Sequence, residues 1–112
     1  MWLQINTQVL DIFVSTFKNI ILSLDGCPWC VKAASLLEKK GIDFFEFKVN
    51  DYGYIVAGTD SRDIPMADFQ ERYNHFSYPM IFLDGKFVGG FSNLQELEDN
   101  GELEKYIGNL CN

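Results

Sequence analysis

At 112 residues the chain has room for one domain, and an apolar share of 47%, with 15% aromatic residues, is enough for one compact core without disulfide staples. A net charge of −7 argues against nucleic acid as a partner, since phosphate contacts need clustered Lys and Arg, and equally against docking on an anionic membrane surface. With cysteine only at positions 27, 30 and 111, no apolar run of about 18 residues and no basic residue before Lys18, the chain reads as a soluble, cytoplasmic, monomeric domain and not as a secreted disulfide scaffold or a membrane protein.

Leu10, Phe13, Val14 and Phe17 fall at i, i+3, i+4 and i+7, which predicts a helix over 6–17 with Asn6 or Thr7 as its cap. Ile20-Ile21-Leu22, closed by Asp25-Gly26, predicts a buried strand. Pro28 suits the first position of a helix over 28–40, with Val31, Ala34 and Leu37 on its buried face, Lys39 and Lys40 at its negative end and Gly41 as its cap. Phe45, Phe47 and Val49 alternate with polar residues, the period of a strand.

The stretch 51–63, with Gly53, Gly58, Asp60 and Ser61, reads as a loop. Pro65 opens a third helix that buries Met66, Phe69 and Tyr73, and His75 falls at its end as a non-catalytic residue. Asp84-Gly85 between Met80–Leu83 and Lys86–Val88 is a hairpin signal. After Gly89-Gly90 a last helix starts near Asn93, with Leu94 and Leu97 inward, and a further turn covers Leu103 to Ile107. The order α–β–α–β–α–β–β–α predicts an α/β domain. Its first two strands should be parallel, its last two antiparallel, and its four-stranded mixed sheet covered by helices.

Cys27-Pro28-Trp29-Cys30 carries the chemistry. It stands between a strand and a helix, where free N–H groups and the helix dipole stabilise a thiolate. Cys27 is therefore expected to titrate below the usual thiol value of about 8.5. Cys30, three residues on, lies within reach of it, so the pair can cycle between dithiol and disulfide through a mixed disulfide. Cys27 is the outward nucleophile and Cys30 the resolving partner. A zinc site would need two further ligands, and only the distant His75 and Cys111 are on offer, so no metal is expected. Cys111 itself reads as an incidental thiol, and Trp29 as a partly exposed wall of the site.

Three blocks, in order, resemble the glutaredoxin family over about residues 19–105: Cys27-Pro28-Trp29-Cys30; Ser77-Tyr78-Pro79-Met80-Ile81-Phe82; and Gly89-Gly90-Phe91-Ser92-Asn93-Leu94 with the later Gly101-Glu102-Leu103. The N-terminal helix matches that of the family's longer members. The resemblance implies a thioredoxin fold with an extra N-terminal helix, and reduction of protein disulfides and protein–glutathione mixed disulfides with glutathione as co-substrate. It implies a Tyr78–Pro79 cis bond, with the Tyr78 backbone offered to the cysteinyl unit of glutathione. Ser92 and Asn93 would hold the γ-glutamyl end at a helix N-terminus, and Trp29 would wall the site.

Leu24 stands where the family usually has a cation for the glycyl carboxylate, with Arg62 or Arg72 as candidate substitutes. Asn93 stands where it has an aspartate for the amino group, and keeps an oxygen that can accept from that group. Disulfide-bearing or glutathionylated proteins are the expected partners, ribonucleotide reductase among the candidates. The alternatives are an electron donor reduced by thioredoxin reductase and a carrier of iron–sulfur clusters in a glutathione-bridged dimer, against which the stiffening Pro28 argues.

Overall fold

Two short apolar strands, β1 (Ile20–Ser23) and β5 (Met80–Leu83), are buried at every position and organise everything around them. Side chains alternate across a strand. Ile20, Leu22, Met80 and Phe82 therefore meet Leu10, Phe13 and Val14 of helix α1 (Trp2–Phe17) and Met66 and Phe69 of α3 (Met66–Tyr73) on one face. Ile21, Ile81 and Leu83 meet Ala33 and Leu37 of α2 (Pro28–Lys39) and Leu94 of α4 (Phe91–Asp99) on the other. With the outer strands β2 (Phe45–Lys48) and β6 (Lys86–Gly89), the sheet runs β2-β1-β5-β6. The β1–β2 pair is parallel, and the β1–β5 and β5–β6 pairs are antiparallel, in the α/β arrangement expected. The structure is a computed structural model that describes residues 2–56 and 63–106.

Three local expectations change. Helix α1 begins at Trp2, so Asn6 and Thr7 lie inside it and neither is its cap; no Gly or Pro among the preceding residues stops the helix. In α2 the buried side chains are Cys30, Ala33 and Leu37, whereas Val31 is 64% exposed. The helix turns the face bearing Cys30 to the sheet, and Val31 falls off that i, i+3, i+7 row. Part of the expected loop 51–63 is ordered as β3 (Tyr54–Ile55), which pairs antiparallel with β4 (Ile64–Pro65), and Val49 bridges Ile55. Asn50 shapes the turn into β3, its Oδ1 accepting the N–H groups of Tyr52 and Tyr54 at 3.0 Å each. Ile55 and Ile64 then drop into the core. Gly58, Asp60 and Ser61 lie outside the described residues, as does Ile107 at the far end of the last turn, a 3₁₀ turn over Leu103–Tyr106.

Helix α1 also shields the outer strand. Phe17 sits edge-on to Phe45 and Phe47 at 5.1 and 4.9 Å, and Phe13 lies 5.0 Å from Phe47. This is the offset geometry that aromatic pairs prefer.

At the end of the sheet away from the cysteines, Asn19 is 1% exposed. Its Nδ2 donates to the Asp43 carbonyl at 2.9 Å, and its Oδ1 accepts the Asp84 N–H at 2.7 Å. One side chain thus joins the α2–β2 connection to the β5–β6 turn. Asn19→Leu leaves both backbone partners without their bond. It should cost about 2 kcal/mol of stability, read as a lower urea midpoint at unchanged slope. An unshifted midpoint would show that water takes over both bonds.

Candidate functional site

The chain leaves β1 through Leu24-Asp25-Gly26, with Gly26 at φ +75°, and enters α2 at Cys27. Cys27 is the helix cap: its backbone is extended (φ −98°, ψ 104°), and its Sγ accepts the Cys30 N–H at 3.2 Å. Its carbonyl accepts the N–H groups of Cys30 and Val31. Pro28 occupies the first helical position, where a missing N–H costs nothing. The two cysteines form a disulfide with their Cα atoms 5.3 Å apart. Cys27 is half-buried and Cys30 is 1% exposed, so an incoming sulfur can meet only the first of them. Once the bond is reduced, the same N–H and the positive end of α2 point at the Cys27 sulfur, an environment that favours a thiolate.

A cleft of about 340 Å³ is lined by Trp29, which stands between the two cysteines in the chain, though neither cysteine lines it. Trp29 and Phe91 form one wall, with ring centroids 5.6 Å apart, and the Lys32 ammonium sits 4.4 Å over the Trp29 ring. Tyr78 also lines the cleft, joined to Pro79 by a cis peptide bond. Burial pushes the Tyr78 phenol above its usual range, so it stands as a neutral hydroxyl at neutral pH. The first turn of α4 supplies Ser92 and Asn93. Trp29, Tyr78, Ser92 and Asn93 are therefore brought to one cavity, and Pro79 is buried behind it.

Asn93 differs from expectation. Its Oδ1 accepts the Gly90 N–H at 3.0 Å, and a Cβ at Gly89 would run into it. The oxygen is thus turned back to the backbone and not out into the cleft. Leu24, 37% exposed, is not among the residues lining the cleft. Arg72 is ruled out as a substitute cation there: it pairs with Asp11 at 2.7 Å in a separate depression between α1 and α3. Arg62 and Cys111 lie outside the described residues.

His75, expected to be a bystander, lines the cleft. Asn74 ends α3 in the left-handed conformation (φ 52°) and turns the chain so that His75 faces the Pro79 carbonyl, 3.2 Å from Nε2. A carbonyl only accepts, so Nε2 carries the proton. Asn immediately after a helical pattern is the one sequence signal that could have shown this reversal.

The described residues include no helix long and apolar enough to cross a membrane, and no group of three or more His, Cys, Asp or Glu placed to hold a metal.

Comparison with known proteins gives a consistent result. A family model described as Glutaredoxin matches residues 12–88. Glutaredoxin 1 of Rickettsia bellii is 33% identical over 91 residues, which cover 79% of this chain and 84% of that protein. Among solved structures, a buckwheat glutaredoxin–glutathione complex superposes with a TM-score of 0.74 at 18% identity, covering 94% of this chain and 89% of that one. Glutaredoxin 1 from Francisella tularensis superposes with a TM-score of 0.57 at 27% identity, covering 75% and 94% respectively.

Proposed function

This chain belongs to the glutaredoxin family, a thiol–disulfide oxidoreductase of the thioredoxin fold, and we propose that it reduces protein disulfides and protein–glutathione mixed disulfides with glutathione as its reductant. The observation that carries the reading is the asymmetry of the cysteine pair: Cys27 accessible at the cap of α2, Cys30 closed off behind it. The cleft that Trp29 lines supports the choice of glutathione. It combines an aromatic wall with hydrogen-bonding groups and the free N–H groups of the α4 N-terminus, which suit a carboxylate-bearing peptide thiol.

In the mixed-disulfide route the Cys27 thiolate attacks the glutathione sulfur. A Cys27–glutathione disulfide forms, the target's S–S bond breaks, and the target thiolate leaves and takes a proton from water. A second glutathione thiolate attacks the bound glutathione sulfur, giving glutathione disulfide and restoring the Cys27 thiolate. In the protein-disulfide route Cys27 attacks a target sulfur. The Cys30 thiolate then attacks the Cys27 sulfur, releasing the reduced target and leaving the Cys27–Cys30 disulfide, which two glutathione molecules reduce.

The deciding experiment follows NADPH consumption with a mixed-disulfide substrate. One arm contains glutathione and glutathione reductase, the other thioredoxin reductase alone. Turnover in the first arm is expected, and turnover confined to the second would replace glutathione by thioredoxin reductase as electron source. Leu24 offers a finer check. Introducing a cation by Leu24→Lys should lower the KM for glutathione about two- to fivefold with kcat little changed, the effect of a partly exposed ion pair. An unchanged KM would mean that the glycyl carboxylate does not lie near position 24.

A further inference from the structure

The cleft lined by Trp29 and the start of α4 is polar but carries no carboxylate among the described residues. Among the described residues Asn93 is its only side-chain amide, and the orientation of that amide follows from its partner. The group facing it is the Gly90 N–H, which can only donate, so the atom at 3.0 Å must be the oxygen. The tight approach of Gly89 on the same side shields that oxygen further. What Asn93 turns outward is its NH₂ group, a donor. Trp29 carries only a ring N–H, the N–H groups of the first turn of α4 are donors as well, and His75, with Nε2–H on the Pro79 carbonyl, leaves at Nδ1 a ring acceptor and not an anion. Hydroxyls of Ser77, Tyr78 and Ser92 serve either way. Among the described residues, no Asp or Glu lines the cleft. The site can therefore meet carboxylates and carbonyls well, but it holds no anion to meet an ammonium.

We propose that this cleft recognises its thiol ligand through the carboxylate ends, with Asn93 making it indifferent to the α-ammonium. Its substrate class then extends to carboxylate-bearing peptide thiols whose amino group is acylated or missing. The proposal rests on the glutathione reading above and narrows how that ligand is read. A carboxylate at position 93 would behave differently. One oxygen would still cap Gly90, and the second would face the cleft as the missing anion, while its charge would suit the helix N-terminus.

The test is an internal competition on the full chain carrying Cys30→Ser, which retains the adduct. It is offered equal amounts of glutathione disulfide and the disulfide of deaminated glutathione (glutaryl-cysteinyl-glycine). The Cys27 thiolate attacks one sulfur of either disulfide, gains that half as a mixed disulfide and releases the other half as a thiolate. Mass spectrometry of the Cys27 peptide gives the ratio of the two adducts. With Asn93 the two should form within about threefold of each other, while Asn93→Asp should shift the ratio about tenfold toward intact glutathione, the scale of a hydrogen bond between charged groups.

A preference for intact glutathione above about threefold with Asn93 in place, or a ratio that Asn93→Asp leaves unmoved, overturns the proposal. Adducts with neither peptide disulfide, where bis(2-hydroxyethyl) disulfide still labels Cys27, would overturn the glutathione reading itself and this proposal with it. The two failures are thereby separate.

Discussion

Cys27→Ser should abolish turnover on both protein disulfides and glutathione mixed disulfides, a loss on the order of a thousandfold or more, because the attacking sulfur is gone. Cys30→Ser should divide the two routes. The mixed-disulfide route uses one cysteine and should persist. The protein-disulfide route should stall as a covalent complex with the target, visible on a non-reducing gel and dissolved by added thiol. The structural basis is that Cys30, at 1% exposure, meets no substrate and can act only on what is already attached to Cys27. Loss of the mixed-disulfide route in Cys30→Ser would mean that the buried thiol does more than resolve. Retained activity in Cys27→Ser would move the chemistry elsewhere altogether.

Gly89→Ala should be the most costly of the small substitutions near the cleft. Gly89 sits at φ +126°, a conformation side chains rarely adopt, and a Cβ there would collide with the Oδ1 and Cγ of Asn93. Strain and the displaced cap together should cost about 3 kcal/mol, seen as a lowered urea midpoint, with a raised KM for glutathione as Asn93 is pushed aside. Gly90→Ala is the matching control. Its backbone (φ −98°, ψ −166°) is open to alanine, and the new Cβ would find its nearest neighbour, His75 Cε1, at 3.5 Å. That change should stay within about 1 kcal/mol. Equal effects at 89 and 90 would mean that the Gly89–Asn93 contact is not what demands glycine.

Periodicity and punctuation in the sequence predict the four main strands and four helices because these obey local rules: alternation at 45–49, Pro28 at a helix start, Asp84-Gly85 at a hairpin. The Cys27–Cys30 unit is equally legible, since its chemistry depends on one helix end and on residues three apart. What escapes such reading is decided by distant parts of the chain. Whether Val31 or Cys30 faces inward depends on where α2 meets the sheet. Strands β3 and β4 are two residues each, too short to carry a period, and they exist because Ile55 and Ile64 find the core. The orientation of the Asn93 amide and the ion pair that takes Arg72 depend on partners no spacing reveals. His75 reaches the cleft only because Asn74 reverses the chain.

Strands β1 and β5 are paired through Leu22 and Met80 and buried on both faces, and each leads within a few residues to one side of the cleft. A residue added between Leu22 and Cys27, or between Tyr78 and Met80, would shift a cysteine or a wall of the site, with no slack to absorb it. The chain beyond β2 leaves from an outer strand, and the β3–β4 arm pairs within itself and not with the central strands. Length variation among relatives of this protein should therefore collect between about residues 50 and 65, and the two short approaches to the cleft should keep their lengths even where their residues change.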